Sequence, residues 1–226
     1  MKAIAAAASI AILAMVLTET PRAMAAPPAS SLYTELVAAA EWGHSKVDFR
    51  KLRYSYAFSG QYDPYGFRTR GLFNELTNAL GAGDCGIVLR KADELLRDDY
   101  TSIEIHAARH KCLLRLGNRK DASREAAIEK GLAESILNSG DGKSAPTAYV
   151  VVTLAEERYV LSHLGITATR QRLLFREQTP FDLISGTSGP AQREASVYFN
   201  VAALLASTQR PVAPDAPYGS TIPRTP

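Results

Sequence analysis

The sequence is poor in the features that usually identify a function directly. Its 226 residues carry a net charge of only +3, and the acidic and basic residues are interspersed. This excludes the concentrated basic face with which a protein binds nucleic acid non-specifically. No G-x-S-x-G motif and no readable Ser-His-Asp or Cys-His arrangement is present, so the sequence names no hydrolase nucleophile. Only one apolar run is long, and it stands at the N-terminus.

That apolar run is typical of a secretory signal peptide. Lys2 precedes 15 small or apolar residues at 3–17, and a small-x-small cleavage pattern follows at 23–25. The run is shorter than the ~20 residues that span a bilayer. We therefore expect a signal peptide at 1–25 and a periplasmic or secreted chain that begins near Ala26, without a membrane span. An uncleaved N-terminal anchor is the alternative.

Two cysteines remain in the expected mature chain, Cys85 and Cys112. In an exported protein such a pair predicts a disulfide before it predicts a redox site. The pair lies 14 residues before and 13 residues after Asp99, which falls in the short connection between two predicted antiparallel helices. Both cysteines should therefore lie at the same height on the hairpin. The alternative is two buried free thiols between the helices.

Helical patterns dominate residues 26–145. Asp48 is the expected N-cap of the second helix, Gly81 is the expected end of the third, and Thr101 with Glu104 form the expected capping box of the fifth. Short connections predict antiparallel helical hairpins. Apolar stripes place the six helices at about 32–40, 49–59, 67–80, 84–97, 101–116 and 120–138.

Patterns rich in β-branched residues begin after Pro146. They predict strands at about 147–154, 166–175, 181–184 and 195–201, joined by short connections that favour an antiparallel sheet. Residues 155–164 fit either a short helix or a further strand. Five prolines within 208–226 predict a disordered tail. The predicted fold is α+β: an N-terminal antiparallel array of helical hairpins packed with a small antiparallel sheet at 146–207, in one domain.

His106 and His110 stand four residues apart on one face of the fifth helix. This spacing allows two imidazoles to bind one metal ion, as in H-E-x-x-H sites. Ala107 occupies the position of the general-base Glu, however, and the sequence names no third ligand. The alternative is one partly exposed histidine and one packed inside the helical hairpin, and we expect no cofactor.

Gly142, Lys143 and Ser144 end like a phosphate-binding loop. Two features argue against a nucleotide site. Leu137 replaces the first glycine of the motif, and the segment runs from helix to strand rather than from strand to helix. A helix end and a turn into the sheet is the simpler interpretation. Asp141 and Lys143 remain candidate binding residues in this turn.

Aromatic residues crowd the segment between the second and third helices. Tyr62 and Tyr65 flank Asp63 and Pro64 in a predicted loop. Aromatic rings with one acid suit the binding of a sugar or a peptide. The alternative is that the rings pack this loop onto the neighbouring helices, with their hydroxyls hydrogen-bonded at its rim. Tyr62, Asp63 and Tyr65 are therefore candidate binding residues.

Several of these stretches together resemble one family. They are 47–53, Tyr62-Asp63-Pro64-Tyr65, 108–117, 139–144, 148–151 with Glu156-Glu157, and 198–200. The chain resembles, over roughly 40–205, a family of secreted bacterial proteins, the domain of unknown function 4919. The resemblance implies a single exported domain and supplies no catalytic residues. The two helices at 84–116 are also similar to a tetratricopeptide unit, although its Trp-Leu-Gly-Tyr pattern is absent.

The sequence favours a non-catalytic interaction module. Its partner would be a protein or peptide of the cell envelope, bound by the helical array or by the loop at 62–65, and not a nucleic acid. The alternative is a metal-dependent or hydrolytic envelope enzyme. His106, His110, Asp63 and Asp141 would be its first candidate residues.

Overall fold

The computed structural model describes residues 29–43 and 47–208. The predicted signal peptide at 1–25 lies outside the described residues, and so does the predicted proline-rich tail apart from Thr208. Among the described residues, no helix combines the length and apolar character needed to cross a membrane.

In the described part of the chain six helices come first, as the sequence predicts. Asp48 is confirmed as the N-cap of the second helix, because its side chain accepts a hydrogen bond from the Lys51 N–H at 2.9 Å. The third helix ends later than predicted, because Gly83 rather than Gly81 adopts the left-handed conformation, with φ +77°. The helices are α1 (Ala29–Glu41), α2 (Phe49–Ala57), α3 (Arg70–Ala82), α4 (Cys85–Asp98), α5 (Ile103–Arg115) and α6 (Arg119–Leu137).

The capping box predicted for α5 is wrong. Ser102 is the N-cap, and its side chain makes no capping hydrogen bond. Thr101 instead donates its backbone N–H and its hydroxyl to Asp99 Oδ1, at 2.8 and 2.6 Å. Asp99 thus accepts from the Thr101 N–H, which a capping box would have paired with Glu104, and it ties down the connection between α4 and α5.

Helices α3 to α6 pack in chain order, each against the next. Cys85 begins α4 and Cys112 lies near the end of α5, so both stand far from the connection of the hairpin. Their sulfur atoms lie at disulfide distance and their Cα atoms are 5.1 Å apart. The predicted pairing geometry is confirmed, and it fastens the open end of the hairpin.

Within residues 29–43 and 47–208, the sheet has four strands in the order β1-β4-β3-β2. The three long strands form the predicted antiparallel meander, but β1 pairs with β4 in parallel, so the expectation of a purely antiparallel sheet is wrong. The reason is that β1 reaches β4 through a long crossover rather than a hairpin. The strands are β1 (Tyr149–Val150), β2 (Ile166–Arg176), β3 (Thr179–Ser188) and β4 (Arg193–Asn200).

Two further helices occupy the predicted β region, α7 (Leu154–His163) and α8 (Ala202–Thr208). The strand predicted at 147–154 shrinks to two residues. A 3-10 turn at Ala145–Thr147 precedes it, and the Thr153 hydroxyl accepts from the Glu156 N–H at 3.2 Å and begins α7. The ambiguous residues 155–164 are therefore helical as far as His163.

One hydrophobic core joins the helices to the sheet. It runs from Leu52 and Leu132 in the helices to Phe199 in β4 and to Val151, directly after β1. Helix α6 contacts β1 and α7, while α8 contacts both α2 and β3. The fold is thus α+β with a continuous interior, and the predicted fold class is confirmed.

Candidate functional site

The loop at 61–66 is anchored to the start of α7. The Tyr62 hydroxyl donates to the Val152 carbonyl at 2.5 Å, and the Leu154 N–H donates to the Pro64 carbonyl at 3.0 Å. The Tyr62 ring meets the Tyr56 ring edge to face at 5.4 Å. Tyr62 therefore holds the loop in place, as the packing alternative predicts, and it presents the next residues to a cleft.

The cleft has a volume of about 220 Å³. It lies between this loop, helix α3, the α4–α5 hairpin and the first turn of α7. Its charged residues come from four separate elements, so only the fold brings them together. The lining comprises Asp63, Pro64, Tyr65, Gly66, Thr69, Arg70, Phe73, Leu95, Asp99, Ser102, Glu104, Ile105, Thr153, Ala155 and Arg158.

Two acids in the cleft are poorly solvated. Desolvation by burial raises the pKa of Asp99 to about 6, although hydrogen bonds from Thr101 favour its charged form. Burial also raises the pKa of Glu104, against the opposing effects of the Arg158 charge and the Ser102 hydroxyl. Carboxyl groups with perturbed pKa values in a cleft are a recognised sign of a functional site. A cationic group bound close to both acids would stabilise their charged forms in place of the water that they have lost.

Aromatic rings and a third acid form the mouth of the cleft. Tyr65 stacks on Phe67 at 5.4 Å between ring centroids, and the Arg70 guanidinium lies 5.2 Å from the centre of the Phe67 ring. Asp63 accepts from the Arg68 N–H at 2.8 Å, so its carboxylate is already held by a neighbour. This mouth combines apolar ring surface with the charges of Asp63 and Arg70. Such a surface suits a side chain that has an apolar stem and a polar head.

A buried ion pair supports the α7 wall of the cleft. Arg53 on α2 binds both carboxylate oxygens of Glu156, with distances of 2.7 and 2.6 Å, and both residues are at most 3 % exposed. Arg53 also donates to the Val150 carbonyl at 2.8 Å, and the Val152 N–H donates to Glu156 at 2.7 Å. This network joins α2 to β1 and α7, and it fixes where Thr153 and Arg158 stand.

The histidines predicted as a metal pair lie on one face of α5, as their spacing implies, but each faces its own glutamate on α6. The His106 Nδ1 lies 2.7 Å from Glu125 and its Nε2 lies 2.9 Å from the Tyr100 carbonyl oxygen. The His110 Nδ1 lies 3.3 Å from Glu129. Over the described residues, no three His, Cys, Asp or Glu side chains are grouped to hold a metal ion. A metal site at this pair stays a prediction.

The buried His106 site is a structural network. Burial would raise the pKa of Glu125, but hydrogen bonds and charges from His106 and Arg109 outweigh it and lower that pKa. Arg109 donates to Glu125 at 3.0 Å and also pairs with Asp93. Both ring nitrogens of His106 face acceptors, so this network clamps α5 onto α6 and onto the connection between α4 and α5.

Asp141 and Lys143 lie apart from the cleft, in the turn after α6. The Lys143 N–H donates to Asp141 at 3.0 Å, and the Tyr198 N–H of β4 donates to the Gly142 carbonyl at 2.8 Å. Gly142 has φ +68°, and a Cβ there would come within 2.7 Å of the Tyr149 ring. Gly142 is thus required by a tight turn that packs against the sheet, and a binding role for Asp141 and Lys143 stays a prediction.

Sequence reasoning names Asp63 and Tyr65, which line the cleft, but it misses Asp99, Glu104 and Arg158. Asp99 is visible only as part of a helix connection, and Glu104 only as a capping residue. Nothing in the sequence brings Arg158 of α7 to the same place.

Comparison with known protein families gives a match over most of the chain. The family model described as a domain of unknown function (DUF4919) matches residues 39–210. No curated protein and no solved structure matches the chain. The family description assigns no activity, so the geometry of the cleft carries the functional argument.

Proposed function

We propose that this chain, which belongs to the family of the domain of unknown function 4919, is an exported, non-catalytic interaction module. It binds a protein or peptide partner of the cell envelope by taking one basic side chain into the cleft. The observation that carries this proposal is the pair of desolvated carboxyl groups, Asp99 and Glu104, behind an aromatic mouth. Burial disfavours the charged form of both acids, and a bound cation nearby would stabilise that charged form.

The size of the cleft supports a side chain rather than a whole small molecule. Its volume of about 220 Å³ lies below the ~300–1,000 Å³ of typical drug-sized ligand sites. A lysine or arginine side chain has an apolar stem and a charged head. The stem would contact Tyr65 and Phe73, while the head would reach the two acids.

Two observations support export. Cys85 and Cys112 stand at disulfide distance, and disulfides persist in oxidising compartments such as the periplasm or the outside of the cell. The N-terminal sequence carries the pattern of a cleaved signal peptide. Expression of the full chain in a bacterium, followed by fractionation and N-terminal sequencing, tests this. We expect an extracytoplasmic protein that begins near Ala26, and an uncleaved cytoplasmic product would contradict it.

Peptide titration tests the binding site. The probes are three N-acetylated hexapeptide pools with a central lysine, arginine or norleucine, titrated calorimetrically. We expect the basic pools to bind and the isosteric variants Asp99→Asn and Glu104→Gln to weaken that binding at least tenfold. Glu75→Gln on α3, whose carboxylate is exposed, is the matched control. Equal binding of the norleucine pool would refute the site.

An enzyme is the second candidate function, because two carboxyl groups with raised pKa values in one cleft also suit general acid–base hydrolysis. Incubation of the mature protein with peptidoglycan fragments and peptides tests it. Product formation that Asp99→Asn abolishes would replace the interaction proposal. Stoichiometric zinc that a His106→Ala, His110→Ala double variant loses would support a metal-dependent enzyme instead.

A further inference from the structure

The outer edge of the sheet is formed by one long, exposed strand. Strand β2 stands last in the order β1-β4-β3-β2, and nine of its 11 residues are exposed. An edge strand directs alternate backbone N–H and C=O groups away from its sheet, where another strand can bind them. The backbone of β2 therefore offers hydrogen-bonding groups along most of its length.

We propose that this edge is a docking site, distinct from the cleft, for an extended segment of a partner protein that alternates acidic and apolar side chains. The segment adds to β2 as a fifth strand. Main-chain hydrogen bonds supply affinity in this mode of recognition, and the alternating side chains supply specificity.

One face of β2 is basic. Arg172 stands opposite Leu183 and Arg176 stands opposite Thr179, so their side chains share one face of the sheet. Arg170 shares that face, because its partner Ser185 is two residues from Leu183. The strand has no acidic residue, and within the described part of the chain none of the three arginines forms an ion pair. Acidic side chains on an added strand would meet this face.

The opposite face of β2 carries Gln171 and two exposed apolar side chains. Leu173 stands opposite Asp182 and Phe175 stands opposite Pro180. Leu173 is 47 % exposed and Phe175 is 62 % exposed. An added strand with apolar residues between its acids would cover both side chains, since neighbours on adjacent strands contact each other on the same face. The two faces together thus define an alternating acidic and apolar occupant.

A second copy of the chain fits this edge poorly. Residues that stand opposite each other in a ladder share a face, so pairing β2 with its own copy places six arginines on one face. Like charges at that spacing oppose association. The basic face therefore favours a different chain of opposite charge over self-association.

A fluorescent nine-residue peptide that alternates glutamate with valine or leucine is the probe, measured by anisotropy with the full mature protein. Two derivatives carry N-methyl groups on its odd or on its even residues. A strand that adds to an edge uses the N–H groups of alternate residues only. We expect one derivative to lose at least tenfold in affinity and the other to bind unchanged.

Charge reversal tests the basic face. The triple variant R170E/R172E/R176E should lose at least tenfold in affinity for the acidic peptide and should bind a version with lysine for glutamate. The matched control R90E/R119E changes exposed arginines on the helical part and should bind like the wild type. Asp99→Asn should also leave this binding unchanged, which separates this edge from the cleft.

Three outcomes would overturn the proposal. They are equal binding of both N-methylated derivatives, equal binding of a scrambled peptide with its acids contiguous, or competition by polyphosphate at similar charge concentration. Each would reveal a plain polyanion surface. If the triple variant does not fold, hydrogen exchange of the wild type decides, because docking must slow amide exchange within 166–176. Slow exchange there without peptide, together with a dimer in sedimentation, would assign the edge to a second copy.

Discussion

The helical part and the sheet part of this chain are held together differently. The hairpin of α4 and α5 is closed at one end by a short connection and at the other by the Cys85–Cys112 pair. Buried His106 and Glu125 clamp α5 onto α6. The sheet, in contrast, ends in a long strand that pairs with β3 along one edge only among the described residues, and nine of its 11 residues are exposed. The cross-links are thus concentrated in the helices. The sheet instead has backbone N–H and C=O groups along its β2 edge that a partner could bind.

This difference has a functional meaning. A recognition cleft gains affinity when its walls are fixed before binding, and most walls of the cleft belong to the cross-linked helices. A strand edge needs no preformed pocket, because a partner strand binds it mainly through main-chain hydrogen bonds. The helical part therefore suits a preformed pocket, and the β2 edge suits an adaptable strand partner.

Breaking the joint between the two parts should have the largest effect. Arg53→Ala leaves the Glu156 carboxylate buried without its guanidinium partner. Loss of one member of a buried ion pair typically costs about 3–5 kcal/mol. We expect a loss of that size in the free energy of unfolding, measured by urea denaturation.

Arg50→Ala is the matched control, because Arg50 is exposed on the same helix. It should change the unfolding free energy by less than about 0.5 kcal/mol. A cost below about 1 kcal/mol for Arg53→Ala would mean that the pair is dispensable and that the core alone joins helices to sheet.

Reduction of the cysteine pair should have the next largest effect, and it should act on the helical part. A bridge between residues 27 apart in sequence stabilises by about 3 kcal/mol in the chain-entropy model. We expect dithiothreitol to lower the unfolding free energy by about that amount and to speed amide exchange in α4 and α5 more than in β3.

The double variant Cys85→Ala, Cys112→Ala is the control, since its stability should not respond to dithiothreitol. A count of free thiols on denatured, unreduced protein checks the pairing itself. Two free thiols per chain would show that the bridge does not form.

The same comparison separates what the sequence predicts well from what it does not. The helices carry period-3.6 stripes and polar N-caps, so their order and the cysteine geometry follow from local patterns. The short strand β1 could not be predicted in this way. Its β-branched residues extend to Thr153, but the local structure is decided by the capping hydrogen bond that the Glu156 N–H donates to the Thr153 hydroxyl, and by the crossover to β4.

The residues of the candidate site also fall into those that a local sequence pattern indicates and those that it does not. Asp63 and Tyr65 stand out in the sequence, because an acid among clustered rings is a local signal. Asp99, Glu104 and Arg158 reach the cleft only through packing of the hairpin against α7. Their role also depends on desolvation, which a sequence does not display. The long-range pairing of Arg53 with Glu156, 103 residues apart, is invisible for the same reason.

The contact between α7 and the sheet should respond to pH. Glu157 is 3 % exposed, and among the described residues its Oε1 has no hydrogen-bond partner. Desolvation, and then the charge of Asp182, raise its pKa to about 8 from the usual 4.5. Between these values the folded state binds more protons than the unfolded state, so stability falls as the pH rises. We expect a loss of about 1 kcal/mol between pH 7 and 8.5.

Glu157→Gln should remove that part of the pH dependence, because the amide does not titrate. The interval from pH 7 to 8.5 lies above the pKa of Asp99, which is about 6, so this second raised carboxyl contributes little to the change. Glu194→Gln, exposed on β4, is the control and should retain the wild-type slope. An unchanged slope in Glu157→Gln would assign the effect to another group.

The smallest effect should follow from truncation at the open edge. Phe175 is 62 % exposed on β2, whereas Phe199 is fully buried on β4 of the same sheet. Phe199→Ala should cost about 3–5 kcal/mol, because it removes a large side chain from the core. Phe175→Ser should change the free energy of unfolding, measured by urea denaturation, by less than about 0.5 kcal/mol. A cost above about 1.5 kcal/mol would show that Phe175 is covered in the free protein, and the edge would then not be open to a partner.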